Sequence, residues 1–151
     1  MVEYKITFEM VEFFVDALID RLNTKGHKFD YVIGIGRGGL VPATLIGYRL
    51  NLPVLNYGIN TYAGKSKLDK PDVYQDIDFS KLREHSNILV IDDIADTGDT
   101  FEHFYKLRKP NVGTVIYAAL FAKEGGGDLQ VHFYSSLASK NQWISFPWES
   151  K

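Results

Sequence analysis

Four consecutive apolar residues, Ile88-Leu89-Val90-Ile91, run directly into the acidic pair Asp92-Asp93. A strand of that composition buries both of its faces, as strands do in parallel sheets covered by helices. Its end delivers two adjacent carboxylates, and the turn Ile94-Ala95-Asp96-Thr97-Gly98 leads on to Asp99, Thr100 and a helical pattern. This one segment predicts a layered α/β architecture and marks where the chemistry belongs. Open α/β sheets bind ligands beyond the carboxyl ends of their strands.

The rest of the chain repeats the alternation. Thr7 is placed to cap a helix whose apolar positions Phe14, Ala17, Leu18 and Leu22 recur at helical spacing, ending near Asn23. Tyr31 to Ile35 reads as a buried strand entering the turn Gly36-Arg37-Gly38-Gly39. A helix over about 41–50 follows, with Pro42 in its first turn. Val54 to Tyr57 reads as a second strand, and Tyr62 to Asp78 as a long loop or hairpin. The helix after Gly98 should end near Arg108, and Gly113 to Phe121 reads as another strand. At 151 residues the chain fits a single domain, 1–151. Strands alternating with helices indicate a central, mostly parallel sheet flanked by helices.

Composition narrows the function. The absence of cysteine rules out disulfide scaffolds, Cys-based zinc sites and thiol catalysis. A formal charge of -2 gives no broad basic face for nucleic acid. The longest apolar run, Val115 to Ala122, is too short to span a bilayer, and Met1 to Lys5 lacks the pattern of a signal peptide, so a cytoplasmic location is expected. His27, His85, His103 and His132 show no ligand spacing and read as structural or surface residues.

Threonine hydroxyls and backbone amides converging at a helix start suit a phosphate monoester. Carboxylates beside such a nest would repel phosphate unless they faced ribose hydroxyls or a hydrated Mg²⁺. The arrangement asks for a sugar phosphate. One rival reading fails on spacing, and a second is weak. A phosphatase of the haloacid-dehalogenase type wants its two aspartates one residue apart, whereas Asp92 and Asp93 are adjacent. Gly34, Gly36 and Gly39 match a dinucleotide fingerprint, but that fingerprint also wants an acid about 20 residues on. Between Tyr31 and Leu68 there is no Asp or Glu.

Residues 88–100 closely resemble the motif for phosphoribosyl pyrophosphate (PRPP) in the type I phosphoribosyltransferases. Gly36-Arg37-Gly38-Gly39-Leu40-Val41-Pro42 is similar to the pyrophosphate loop of the xanthine–guanine branch of that family. The likeness extends from the Thr7 helix to Pro147-Trp148-Glu149. It implies the type I fold with a small C-terminal hood, formed largely by about 123–151. Asp92 and Asp93 would face the ribose 2′- and 3′-hydroxyls, with Asp93 toward Mg²⁺. Asp96, Thr97, Gly98, Asp99 and Thr100 would wrap the 5′-phosphate, Asp99 through its backbone N–H only. Gly36, Arg37, Gly38 and Gly39 would take the diphosphate, and the Gly36–Arg37 peptide can be cis in relatives.

The resemblance carries further residues. Thr61 and Tyr62 match the pair that opens the active-site loop, which would bring Lys65 and Lys67 toward the diphosphate. Lys123 would meet the purine 6-oxygen, Trp143 would stack on the base, and the Ile144 backbone would meet its position 2. An ammonium offers donors only, which suits a 6-carbonyl and clashes with the 6-amino group of adenine. Asp96 matches the candidate proton acceptor at purine N7. The implied activity is transfer of phosphoribose from PRPP to guanine, xanthine or hypoxanthine in purine salvage, with release of pyrophosphate. Its partners are PRPP and a purine base, without nucleic acid or membrane, in a homodimer or homotetramer. Transfer to another base, or a PRPP-binding regulator without turnover, are the alternatives on the same fold. Gly125-Gly126-Gly127 departs from the family pattern.

Overall fold

Ten residues from Val54 to Ala63 form one continuous strand, longer than their composition suggests. It is the third of eight strands in the computed structural model, which describes residues 2–63, 66–96, 98–107, 112–125 and 131–149. The chain begins with β1 (Val2–Lys5), α1 (Phe8–Thr24), β2 (Tyr31–Gly36), α2 (Leu40–Leu50) and β3 (Val54–Ala63). It continues through β4 (Ser66–Gln75), β5 (Ile88–Ala95), α3 (Asp99–Leu107), β6 (Val115–Lys123), β7 (Phe133–Ala138) and β8 (Gln142–Ser145).

Thr7 caps α1 as its position predicts, accepting from the Met10 backbone N–H at 3.1 Å. The buried stripe is Val11, Val15, Leu18, Ile19 and Leu22, so the expected Phe14 and Ala17 fall on its margins. Asn51 ends α2 in the left-handed conformation, with φ 55°, a geometry that asparagine tolerates. No helix among the described residues is long and apolar enough to cross a membrane.

Six strands make the main sheet in the order β4-β3-β2-β5-β6-β7, parallel throughout except for the β3–β4 hairpin. β1 and β8 pair in a separate parallel ribbon, with Glu3 opposite Trp143. Side chains alternate between two apolar layers. Val32, Leu89, Ile91 and Leu120 pack against α1 and α2 on one face. Ile33, Ile35, Tyr57 and Val90 pack with Phe101 and Phe104 of α3 on the other. From β2 the chain proceeds outward to β3, then returns to place β5 on the opposite side of β2. Connections therefore diverge between β2 and β5, leaving a crevice at their carboxyl ends, the switch point at which such sheets bind ligands.

Three segments carry strand residues that the sequence reading did not assign. The stretch expected as a loop or hairpin from Tyr62 to Asp78 is a hairpin containing β4. Lys67, Asp69, Lys70, Pro71 and Asp72 hid it, because this is an edge strand with most side chains in solvent. Charges and proline on an edge strand guard it against further pairing. β5 also continues past the acidic pair to Ala95, held by β6 with Asp92 opposite Ala119 and Ile94 opposite Phe121. Finally, the segment after Lys123, expected to form the hood, contains β7, the edge strand of the main sheet, and β8.

Candidate active site

The loop after β2 lies against the end of β5 because its glycines leave no side chain in between. A Cβ on Gly39 would stand 2.8 Å from the Asp92 α-carbon and 2.8 Å from the Ile35 carbonyl oxygen, and one on Gly38 would fall on the Asp93 carboxylate. Real Cβ atoms do not come so close, so glycine is required where these two backbones meet. The Gly36–Arg37 peptide is cis. Beyond Gly39 the chain enters α2, and Arg37 stands exposed at the rim.

Asp92 and Asp93 sit side by side, each partly buried. Asp92 Oδ1 accepts from the Asp93 backbone N–H at 2.8 Å, and Asp93 Oδ1 accepts from the Ile94 N–H at 2.7 Å. Burial, reinforced by the charge of its neighbour, pushes the Asp92 carboxyl well above the usual range. Burial also raises Asp93, with Glu149 adding to the shift and hydrogen bonds from Asp92 and Ile94 opposing it. Two carboxylates whose charges are disfavoured in this way are relieved by a cation beside them.

Two cavities open here. The smaller, about 240 Å³, is lined by Thr61, Tyr62, Lys67, Asp92, Asp93, Asp96, Gly98 and Thr100, among others. The larger, about 720 Å³, is lined by Gly36, Arg37, Gly38, Asn60, Thr61, Tyr62, Asp93, Trp148 and Glu149, together with Val41 and Ile59. Thr61, Tyr62 and Asp93 belong to both, so the cavities adjoin. Gly98 takes φ 83°, and its carbonyl accepts from the Glu102 N–H at 2.9 Å at the start of α3. Thr97 and Lys65 lie outside the described residues, as does the Asp99 side chain.

The base-site residues are arranged differently. Lys123, at the end of β6, donates through Nζ to the Gln142 carbonyl at 2.6 Å, which brings it to the residue before Trp143. Trp143 is 55% exposed, and the Ile144 side chain is buried in the core. None of the three lines either cavity. Residues 126 and 127 of the glycine run lie outside the described residues.

Trp148 and Glu149 are lining residues not singled out from the sequence. Trp148 stacks on Phe146 with centroids 4.8 Å apart, and Glu149 Oε1 accepts from the Phe146 N–H at 2.7 Å. The only signal was their place in the closing Pro-Trp-Glu run. The histidines are structural where contacts are described: His103 Nδ1 lies 3.0 Å from the Tyr57 hydroxyl, and His132 Nδ1 accepts from the Tyr117 N–H at 2.8 Å.

The model of the phosphoribosyl transferase domain family matches residues 9–151. A xanthine-guanine phosphoribosyltransferase from Desulfotalea psychrophila is 31% identical over 98% of this chain and 87% of its own. A second protein of that name, from Idiomarina loihiensis, is 29% identical over 85% of this chain and 76% of its own. Among solved structures, a purine phosphoribosyltransferase from Pyrococcus horikoshii superposes with a TM-score of 0.83 at 26% identity. The superposition covers all of this chain and 96% of that one.

Proposed function

Because this chain belongs to the phosphoribosyltransferase family, we propose that it transfers phosphoribose from PRPP to a 6-oxopurine, releasing pyrophosphate. The observation that carries the reading is the pair of adjoining cavities at the β2–β5 switch point. One is built from the acidic pair and the phosphate turn, the other from the Arg37 loop, and Asp93 is common to both.

The two cavities suit the two ends of PRPP. Asp96, Gly98 and Thr100 line the compartment for the 5′-phosphate, with Asp92 and Asp93 beside the ribose hydroxyls. Arg37 and the backbone of Gly36 and Gly38 line the compartment for the diphosphate. There a guanidinium and amides neutralise charge as the bond from C1 to the diphosphate oxygen breaks. The purine nitrogen forms the new bond to C1, and Asp96 takes the proton released from N7. Holding base and ribose in line supplies the remaining rate advantage.

Mg²⁺ fits this site. Asp92 and Asp93 would hold the ion through one or two carboxylate ligands, leaving the rest of its shell to water and substrate phosphates. Asp93, whose carboxylate lies against Gly38 of the diphosphate loop, would be the main ligand. When bound, the ion neutralises charge on the diphosphate. Lys123 supplies the donor for the 6-carbonyl and Trp143 the stacking surface, once its exposed ring is covered by the base.

A turnover assay with PRPP, Mg²⁺ and a panel of bases tests the reading. Guanine, xanthine or hypoxanthine should yield a nucleoside monophosphate and pyrophosphate. Equal use of adenine or orotate would overturn the assignment of the base site, and no pyrophosphate from any base would overturn the activity.

A further inference from the structure

Gly36, the first residue of the Arg37 loop, has a neighbour that the reaction as derived does not use. The amide of Asn56 lies flat against it: a Cβ on Gly36 would stand 2.6 Å from Asn56 Nδ2 and 2.8 Å from Cγ. Asn56 reaches that place because β2 and β3 run parallel with Gly34 opposite Asn56 and Gly36 opposite Gly58. Its Nδ2 donates to Gln75 Oε1 at 2.7 Å, across the root of the β3–β4 hairpin. Its Oδ1 is buried and has no hydrogen-bond partner among the described residues.

Each of these facts runs against simple packing. An apolar residue at 56 would fill the same space without an unpaired acceptor. Native proteins keep few such atoms. Here the amide packs directly against Gly36, at the entry to the Arg37 loop. Gln75 keeps it from rotating away. The same hairpin carries Thr61, Tyr62 and Lys67 into the neighbouring cavity.

We propose that Asn56, working as a unit with Gln75, is a positioning residue for the diphosphate loop. It sets where Gly36 and Arg37 stand relative to the departing diphosphate and links that placement to the hairpin. The proposal rests on the reading of the Arg37 loop as the diphosphate site. It assigns Asn56 no contact with substrate, so its effects should fall on the diphosphate end and spare the base.

Two variants test it. Asn56→Leu keeps the bulk and removes the amide, and Gln75→Ala removes the partner at an exposed strand position where folding is not at risk. Steady-state kinetics with PRPP, Mg²⁺ and guanine, product inhibition by pyrophosphate, and thermal melting are read for each variant and for the double variant. Asn56→Leu should raise KM for PRPP and the inhibition constant of pyrophosphate about tenfold or more, the scale of a small misplacement, with KM for guanine unchanged. Gln75→Ala should give the same split more weakly, and the double variant should be no worse than Asn56→Leu. Unmoved PRPP and pyrophosphate constants in Gln75→Ala and in folded Asn56→Leu would overturn the proposal, as would an equal rise in KM for guanine. A wild-type protein that neither uses PRPP nor responds to pyrophosphate would instead overturn the reading of the loop, and the proposal with it.

Discussion

The two ends of the proposed active site are built on different kinds of support. The phosphate end hangs from β2 and β5, central strands whose apolar residues are buried on both faces and which are paired on both sides. Its loops touch through glycines with no room for a side chain. The base end hangs from the last residue of β6 and from β8, which belongs to a two-stranded ribbon with β1. Lys123 is tied to a backbone carbonyl there, while Trp143 stands 55% exposed. The groups proposed to meet PRPP are thus set by the core. Of the groups proposed to choose the base, the Lys123 and Trp143 side chains sit outside the core, at its edge.

If that contrast is right, substitutions at the two ends should fail in different ways. Asp96→Asn keeps the shape of the phosphate turn but removes the proton acceptor, so kcat should fall about 10²–10⁴-fold with KM for PRPP little changed. Near-normal turnover in this variant would reduce Asp96 to a lining residue. Lys123→Gln, at the other end, should leave PRPP kinetics alone and narrow the preference for guanine over adenine. The narrowing should be worth about 1.5–3 kcal/mol, the scale of a hydrogen bond to a charged group. Competition between the two bases measures it, and an unchanged ratio would remove Lys123 from the base site.

Smaller effects sharpen the same contrast. Trp143→Ala should weaken every accepted base by about 1–3 kcal/mol, because stacking does not distinguish one ring from another. Its melting temperature should hardly move, since the ring is already in solvent. Asp92→Asn should do the reverse and stabilise the ligand-free protein. Burial raises the Asp92 carboxyl in the folded state above its unfolded value. Stability is therefore fully present below about pH 3.9 and is lost as pH rises toward the folded value. Removing the ionisable group should raise the melting temperature at pH 7 by about 2–4 °C per kcal/mol recovered. The gain should vanish near pH 3–4, and a lower melting temperature at pH 7 would contradict the burial argument.

The contrast also explains what could be read in the sequence. Ile88 to Ile91 announced β5, because a strand covered on both faces must be apolar throughout. The acid pair and the glycine loop were legible for a similar reason, since close backbone approach and carboxylates at a strand end leave few residue choices. β4 was hidden by its charges and by Pro71, which belong on an exposed edge. β7 and β8 lie at the periphery, where half-exposed residues such as Tyr134, Ser135 and Gln142 carry no clear period. Trp148 and Glu149 reach the larger cavity from a short turn near the end of the chain, and no local pattern connects them to Arg37. Asn56 gave no signal, because its role depends on the register between β2 and β3.

Calorimetric titration of PRPP, with and without Mg²⁺, tests the central claim most directly when the wild-type protein is compared with the Asp92→Asn, Asp93→Asn double variant. Wild type should bind PRPP more tightly with Mg²⁺ present, and the double variant should bind weakly with little response to the metal. Equal binding by the two proteins, with the same Mg²⁺ dependence, would contradict the placement of the ribose and the metal at the end of β5.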